Sequence, residues 1–314
     1  MVYHKTGTTW LQNELFTATS NIFVPISATK NGTLAENFIY DKKGYLLNSF
    51  DNNEQTIIEN FNAITSRKNL SKNGRISVIS HERLSGNPHS SGFDSSIIAR
   101  RIQKTFPNSK IFVVIREQSS WILSNYFQYL SIGGTHSLKK YLNTKYDGKL
   151  PGFSPGHIEY HFLIKDYQTK FGVKNVLVLP YELFNSDKSL FFRKLGEFLE
   201  TDICVEKLNV YARINVKSNH FINYKFRFLN AFIYSSSVNN YSSLNTKINR
   251  IFAFTVKKLL NYFISQKKNK QIQQNLRNEI LEWTNKRFDE SNLITQELIN
   301  MNLEEFGYRT STSV

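Results

Sequence analysis

Apolar residues along this chain fall into short continuous runs separated by longer stretches with helical spacing. The runs are Ile76 to Ser80 (ISVIS), Lys110 to Ile115 (KIFVVI) and Asn175 to Leu179 (NVLVL). Each is too short for a helix and lacks polar alternation, the pattern of parallel strands covered on both faces. Between them, Ser95 to Thr105 is rich in Ile, Ala and Arg and stops before Pro107-Asn108. Leu190, Phe191, Leu195, Phe198 and Leu199 recur at helical spacing after the turn-forming Asn185-Ser186-Asp187. Strand alternating with helix predicts an α/β fold, an open parallel sheet flanked by helices. Ile272 to Leu298 reads as one or two helices carrying Ile280, Leu281, Trp283 and Phe288 inward. Asp202 to Asn275 has few strand signals and many Asn and Ser residues, which predicts helices and loops around the sheet. Without an internal repeat or a Pro-rich or Gly/Ser-rich linker, residues 1–314 read as one domain with a helical and loop insertion at 205–275.

Composition adds boundaries to this picture. At 314 residues, 40% hydrophobic and 21% charged, the chain can bury a sizeable core. No apolar stretch reaches the roughly 18–20 residues that span a bilayer, and no charged-then-apolar leader opens the chain, so a soluble protein is expected. Ile251 to Ile264, interrupted by Lys257 and Lys258, reads as a helix packed on the core, with peripheral membrane contact as the alternative. Cys204 alone excludes an intrachain disulfide and a Cys-based zinc cluster, and suits a reducing, cytoplasmic location. The formal charge of +15 fits nucleic acid, an acidic membrane or a polyanionic ligand equally well. Lysines are dispersed, with an emphasis on 247–270, and no nucleic-acid-binding signature accompanies them. Nucleic acid is therefore not the expected partner.

Candidate chemistry begins at Lys5-Thr6-Gly7-Thr8-Thr9-Trp10, followed by Leu11, Leu15 and Phe16 at helical spacing. Small residues around one Gly at a helix start let backbone N–H groups point at an anion. The Thr hydroxyls add donors, and Lys5 supplies positive charge where a bridging oxygen becomes negative. A helix capped by Thr accounts for the same residues without a ligand. The nucleotide motif G-x-x-x-x-G-K-[ST] does not match, because Lys precedes the single Gly. Arg116 ends the second predicted strand, with Ser124 eight residues on. Ligands of open α/β sheets bind beyond the carboxyl ends of the strands, where an Arg can fork onto a phosphate. His81-Glu82 stands at the end of Ile76 to Ser80, and a His there can accept a hydroxyl proton, its unperturbed pKa being about 6.5.

Taken together, these segments resemble the sulfotransferase family that uses 3′-phosphoadenosine 5′-phosphosulfate (PAPS), whose loop reads K-[ST]-G-T-T-W. The resemblance implies a P-loop-like sheet with Lys5, Thr6, Gly7, Thr8, Thr9 and Trp10 around the 5′-phosphosulfate. It also implies Arg116 and Ser124 on the 3′-phosphate and Tyr181, in Leu177-Val178-Leu179-Pro180-Tyr181-Glu182, beside the adenine. Leu303-Glu304-Glu305-Phe306-Gly307-Tyr308 is similar to the ending of many bacterial members. PAPS is then the co-substrate, 3′,5′-adenosine bisphosphate the product, and no metal is required. The catalytic base is His81 if Ser80-His81 corresponds to the Thr-His of the cytosolic branch, or Glu82 if the bacterial S-[ST]-E pattern holds. The resemblance suggests a hydroxyl-bearing carbohydrate acceptor, a glycan or glycolipid, in a cleft of the loops Asn31 to Ser49 and Ser131 to Pro155. Two features depart from the family. Only Met1, Val2, Tyr3 and His4 precede Lys5, so the first strand is truncated or begins upstream, and no R-K-G segment occurs, for which Arg213 and Lys217 are candidate substitutes. The competing enzyme reading is a nucleotide-dependent kinase, which needs a magnesium-binding acid and a complete Gly-rich loop. A basic nucleic-acid-binding module is the reading from another class.

Overall fold

The computed structural model describes residues 4–17, 20–26, 34–41, 46–47, 53–67, 75–144, 152–204, 208, 220–230, 236, 238–239, 251, 255–256, 259 and 266–310. The expected α/β order is present. A helical turn α1 (Thr8–Trp10) widens into a π-helical turn, Leu11–Leu15, and leads to β1 (Phe23–Pro25). Then come α2 (Glu54–Arg67), β2 (Ile76–Val78), α3 (Ser95–Thr105), β3 (Ile111–Ile115) and α4 (Gln118–Ser131). After α5 (Leu138–Leu142) and α6 (Tyr160–Phe171) the chain forms β4 (Val176–Pro180), α7 (Tyr181–Ser186) and α8 (Lys188–Leu199). The last described helices are α9 (His220–Lys225), α10 (Gln266–Thr284) and α11 (Asp289–Ile299).

Among the described residues the pairing of β1 to β4 is parallel, as the continuous apolar runs predict, and two isolated bridges, Tyr40–Leu46 and Ser236–Asn239, are antiparallel. Among the described residues the four strands form two two-stranded sheets, with β1 against β2 (Phe23↔Ile76 to Pro25↔Val78) and β3 against β4 (Ile111↔Val176 to Ile115↔Pro180). Side-chain alternation sends the strands into two cores. Ile111, Val113 and Ile115 join Ile98, Ile102 and Tyr167 on one face. Phe112 and Val114 join Trp10, Phe191 and Phe192 on the other. Every residue of β3 is buried, which is why the run reads as uniformly apolar. Between β2 and β3, in the layer of the strands, lies a cavity of about 470 Å³ lined by Ile76, Val78, Ile79, Ile111 and Phe112.

Several sequence expectations are corrected or fall outside the described residues. The first strand run pairs only to Val78, because Ile79 and Ser80 leave the ladder before a 3₁₀ turn, Glu82–Ser85. Leu281 does not face inward; it is 46% exposed, because helical spacing places Ile280 and Leu276 on the buried face of α10. Residues 1–3, where a first strand would precede the loop, are not among the described ones, nor are Arg213, Lys217 and most of 205–265. Of the proposed insertion, α9 is tied to α4, with His220 stacked on Phe127 at 3.9 Å and Asn230 donating to the carbonyls of Leu130 (3.1 Å) and Gly134 (2.9 Å). Among the described residues no helix is long and apolar enough to cross a membrane.

Candidate functional site

The carboxyl ends of β2, β3 and β4 meet the Lys5–Trp10 loop. Gly7 has a left-handed backbone (φ 86°), and a Cβ there would stand 3.1 Å from Cε2 of Tyr181, so both conformation and space require glycine. Lys5 is also left-handed, at φ 63°. Trp10 is a core residue, 4.9 Å from the Phe184 ring and 5.8 Å from that of Phe192. It anchors the loop's helix. Thr8 is buried and Thr9 exposed, and Thr8 Oγ1 has no hydrogen-bond partner among the described residues.

Arg116 follows the last residue of β3 and holds the loop from below. Its Nη1 donates to the Lys5 carbonyl at 2.9 Å, and its guanidinium lies 5.2 Å from the Tyr181 ring centroid. Its own carbonyl accepts from Tyr160 Oη at 2.5 Å, while its Nε is buried without a partner among the described residues. Lys5, Gly7, Arg116 and Tyr181 are thus brought together from three segments far apart in sequence. Ser124 is half-buried two turns into α4, and its hydroxyl makes no hydrogen bond to Arg116 or the loop.

His81 and Glu82 stand past the end of β2. His81 Nδ1 caps the 3₁₀ turn by accepting from the Arg83 amide at 3.1 Å. A neutral imidazole with an accepting Nδ1 carries its proton on Nε2. Burial lowers its pKa, with Glu36 opposing and Arg83 assisting. Burial raises the Glu82 pKa, opposed by Lys5 and Arg83. Burial also lowers that of Lys5, with Glu82 opposing and Arg116 assisting. Lys5 and Glu82 thus act on each other electrostatically, each opposing the effect of burial on the other.

Around this pair stands a group that sequence reasoning missed. His4 is buried, with Nε2 3.6 Å from Glu82 Oε1, and its pKa is well below the ordinary value through burial and then His157, His89, Arg83 and His81. Arg83 pairs with Asp94 at 3.1 Å, and Asp94 also accepts from the Asn87 amide at 2.9 Å. Burial brings His89 down to about 4 and His157 to about 3. Glu182, next to Tyr181, accepts from the Glu117 amide at 3.1 Å and from Tyr308 Oη at 3.2 Å. The carboxyl ends of β3 and β4 are thereby joined to the end of the chain. Among the described residues no three His, Cys, Asp or Glu side chains are grouped to hold a metal ion.

No family model matches the chain. No curated protein matches it either. Among solved structures it is similar to a sulfotransferase from Alicyclobacillus acidocaldarius, at 15% identity over 73% of this chain and 92% of that chain, with a TM-score of 0.44.

Proposed function

We propose that the protein is a sulfotransferase that moves a sulfuryl group from PAPS to an acceptor hydroxyl, in one domain spanning the chain. The observation that carries this reading is the convergence of Lys5, the left-handed Gly7 turn, Arg116 and Tyr181 at the carboxyl ends of two strands, with Glu82 beside Lys5. The residues fit a phosphorylated nucleotide. Thr8 Oγ1 and Arg116 Nε are buried donors with no partner among the described residues, and Gly7 keeps a Cβ out of the narrow space between the loop and Tyr181. In this reading the loop amides, Lys5 and the Thr hydroxyls hold the 5′-phosphosulfate. Arg116 and Ser124 hold the 3′-phosphate, and Tyr181 lies against the base.

When bound, the donor supplies the sulfuryl group, and its 5′-phosphate leaves. Glu82 takes the acceptor's hydroxyl proton as the oxygen bonds to sulfur, and Lys5 balances the charge that grows on the departing bridging oxygen. The open lone pair of His81 is already occupied by the Arg83 amide, which supports Glu82 over His81 as base. His81 then holds the turn that presents Glu82. The acceptor assigned on resemblance is a glycan or glycolipid hydroxyl, met in the cytoplasm.

Thermal shift discriminates this reading from a kinase. The expected result is a larger rise in Tm with 3′,5′-adenosine bisphosphate than with ATP and magnesium. A larger rise with ATP and magnesium would overturn the sulfotransferase reading.

A further inference from the structure

The positive charge of this chain is concentrated in one part of it. Residues 207–278 contain 13 of the 40 Lys and Arg and none of the 25 Asp and Glu, so the remainder is nearly balanced, at 27 against 25. Nearly all of the net charge of +15 therefore belongs to a segment that is remote in sequence from the Lys5–Trp10 loop.

The described parts of that segment bring cations together on one surface. α9 packs on the first half of α10, where the Phe221 amide donates to Asn269 Oδ1 at 2.8 Å and Lys268 Nζ lies 6.0 Å from the Phe221 ring centroid. One turn further along α9, the Tyr224 ring has Arg227 at 4.8 Å and Lys225 at 5.9 Å from its centroid. Ile222 of α9 and Ile272 and Leu276 of α10 are buried, and His220 stacks on Phe127 of α4, so the core takes the opposite sides of both helices. Lys225, Lys267, Lys268 and Lys270 are exposed and Arg227 is half-buried. Among the described residues none of these five forms an ion pair. Like charges three residues apart on a helix, as at Lys267 and Lys270, repel each other. A negatively charged partner would relieve that repulsion.

Apolar side chains in the same segment identify the partner. Phe228, next to Arg227, is 55% exposed, and from the sequence between α9 and α10 Ile251 is 66% and Leu259 58% exposed. An anionic lipid surface accepts both kinds of group, since Lys and Arg meet the charged headgroups while aromatic and aliphatic side chains enter the headgroup boundary. A nucleic acid would use the cations and could stack a base on Phe228, but it offers nothing to Ile251 and Leu259. The exposed aliphatic residues therefore favour lipid.

We propose that α9, the turn at Arg227–Leu229 and the first half of α10 form a docking surface for membranes that carry anionic lipid, with Lys225, Arg227, Lys267, Lys268 and Lys270 at the headgroups and Phe228 entering between them. The attachment is peripheral. It does not depend on what the Lys5–Trp10 loop binds, because no residue of that loop takes part.

The test is co-sedimentation of the full chain with vesicles of phosphatidylcholine alone and of equal parts phosphatidylcholine and phosphatidylserine. Binding is expected only where phosphatidylserine is present, and it should weaken as salt rises. Each cation near such a surface is worth about fivefold, so Lys267→Gln, Lys268→Gln and Lys270→Gln together should lower the partition coefficient by ~100-fold. The same change at Lys139, Lys165 and Lys174, exposed lysines outside the segment, removes equal net charge and should cost far less. Phe228→Ser should weaken binding several-fold with little change in Tm, because that side chain is already exposed. Absence of binding, equal binding to both kinds of vesicle, or an equal loss from the two triple substitutions would overturn the proposal. Random-sequence RNA that displaces the chain from the vesicles at lower concentration than added lipid does would also overturn it, making the surface one for nucleic acid.

Discussion

Arg116 carries two loads, and its substitution separates them from a simple ligand contact. Its guanidinium supports the Lys5 carbonyl and lies by the Tyr181 ring, so Arg116→Ala removes a loop anchor as well as the proposed phosphate partner. Binding of 3′,5′-adenosine bisphosphate is expected to weaken by about 10- to 100-fold, from ~1.5–3 kcal/mol for a charge-assisted bond. Calorimetry should find a smaller loss, but a real one, for nucleotides lacking the 3′-phosphate. No loss for either ligand would remove Arg116 from the site. In the proposed mechanism, with Glu82 as base and Lys5 as the cation at the leaving oxygen, these two residues set the pH dependence. Burial raises the Glu82 pKa, so the base is protonated at low pH and kcat/KM should climb through a midpoint above the usual carboxylate range. Burial lowers the Lys5 pKa, so activity should fall on the alkaline side before the ordinary lysine range. Glu82→Gln should lower kcat by 10²-fold or more and erase the acid limb, whereas a surviving acid limb assigns the base elsewhere. As members of the candidate site, Lys5, Gly7 and Arg116 were legible because each lies in a short motif with chemical meaning, and Tyr181 only through the family resemblance. His4 and Arg83 were not, since their roles depend on folding that sets Asp94, His89 and His157 against them.

At the scale of elements, the histidines around the 3₁₀ turns link stability to acidity. His89 titrates near 4 in the folded chain and near 6.5 when unfolded, so the unfolded state binds the extra proton as pH falls between those values. Its contribution is fully present above pH 6.5 and is lost on the way to 4, at up to ~1.4 kcal/mol per pH unit. Denaturant midpoints measured from pH 7.5 to 4.5 should therefore fall, and His89→Gln should flatten the slope. An unchanged slope would show that His89 is protonated in the folded chain. Helix ends were easy to read from sequence. α3 begins at Ser95 and stops at Thr105, where Pro107 was the signal, and β3 matches its apolar run to within one residue. Ser80 was harder to place, because an apolar run does not reveal where a neighbouring strand stops pairing. The π-helical turn after Trp10 was also invisible, since it keeps the helical apolar spacing while changing the hydrogen bonds.

Across the whole molecule, parallel strands with helices on both faces place the candidate site where three strand ends converge, and this much followed from the order of apolar runs. The division into two sheets among the described residues did not, because pairing between distant segments leaves no periodic trace. The end of the chain belongs to the same region of the molecule. Tyr308 is buried and donates to Glu182, whose other oxygen accepts from the Glu117 amide beside Arg116. Arg309 reaches Asp289 at 3.1 Å, and its carbonyl accepts from Asn292 at 2.8 Å. In genetic terms, a premature stop in place of Tyr308 would remove the residue that ties this segment to Glu182, and should behave as a loss-of-function allele. Tyr308→Phe should be the milder allele, retaining the packing and losing one hydrogen bond of ~1 kcal/mol. Nucleotide affinity and Tm of the two products would check the ranking, and equal behaviour of truncated and parent proteins would refute it.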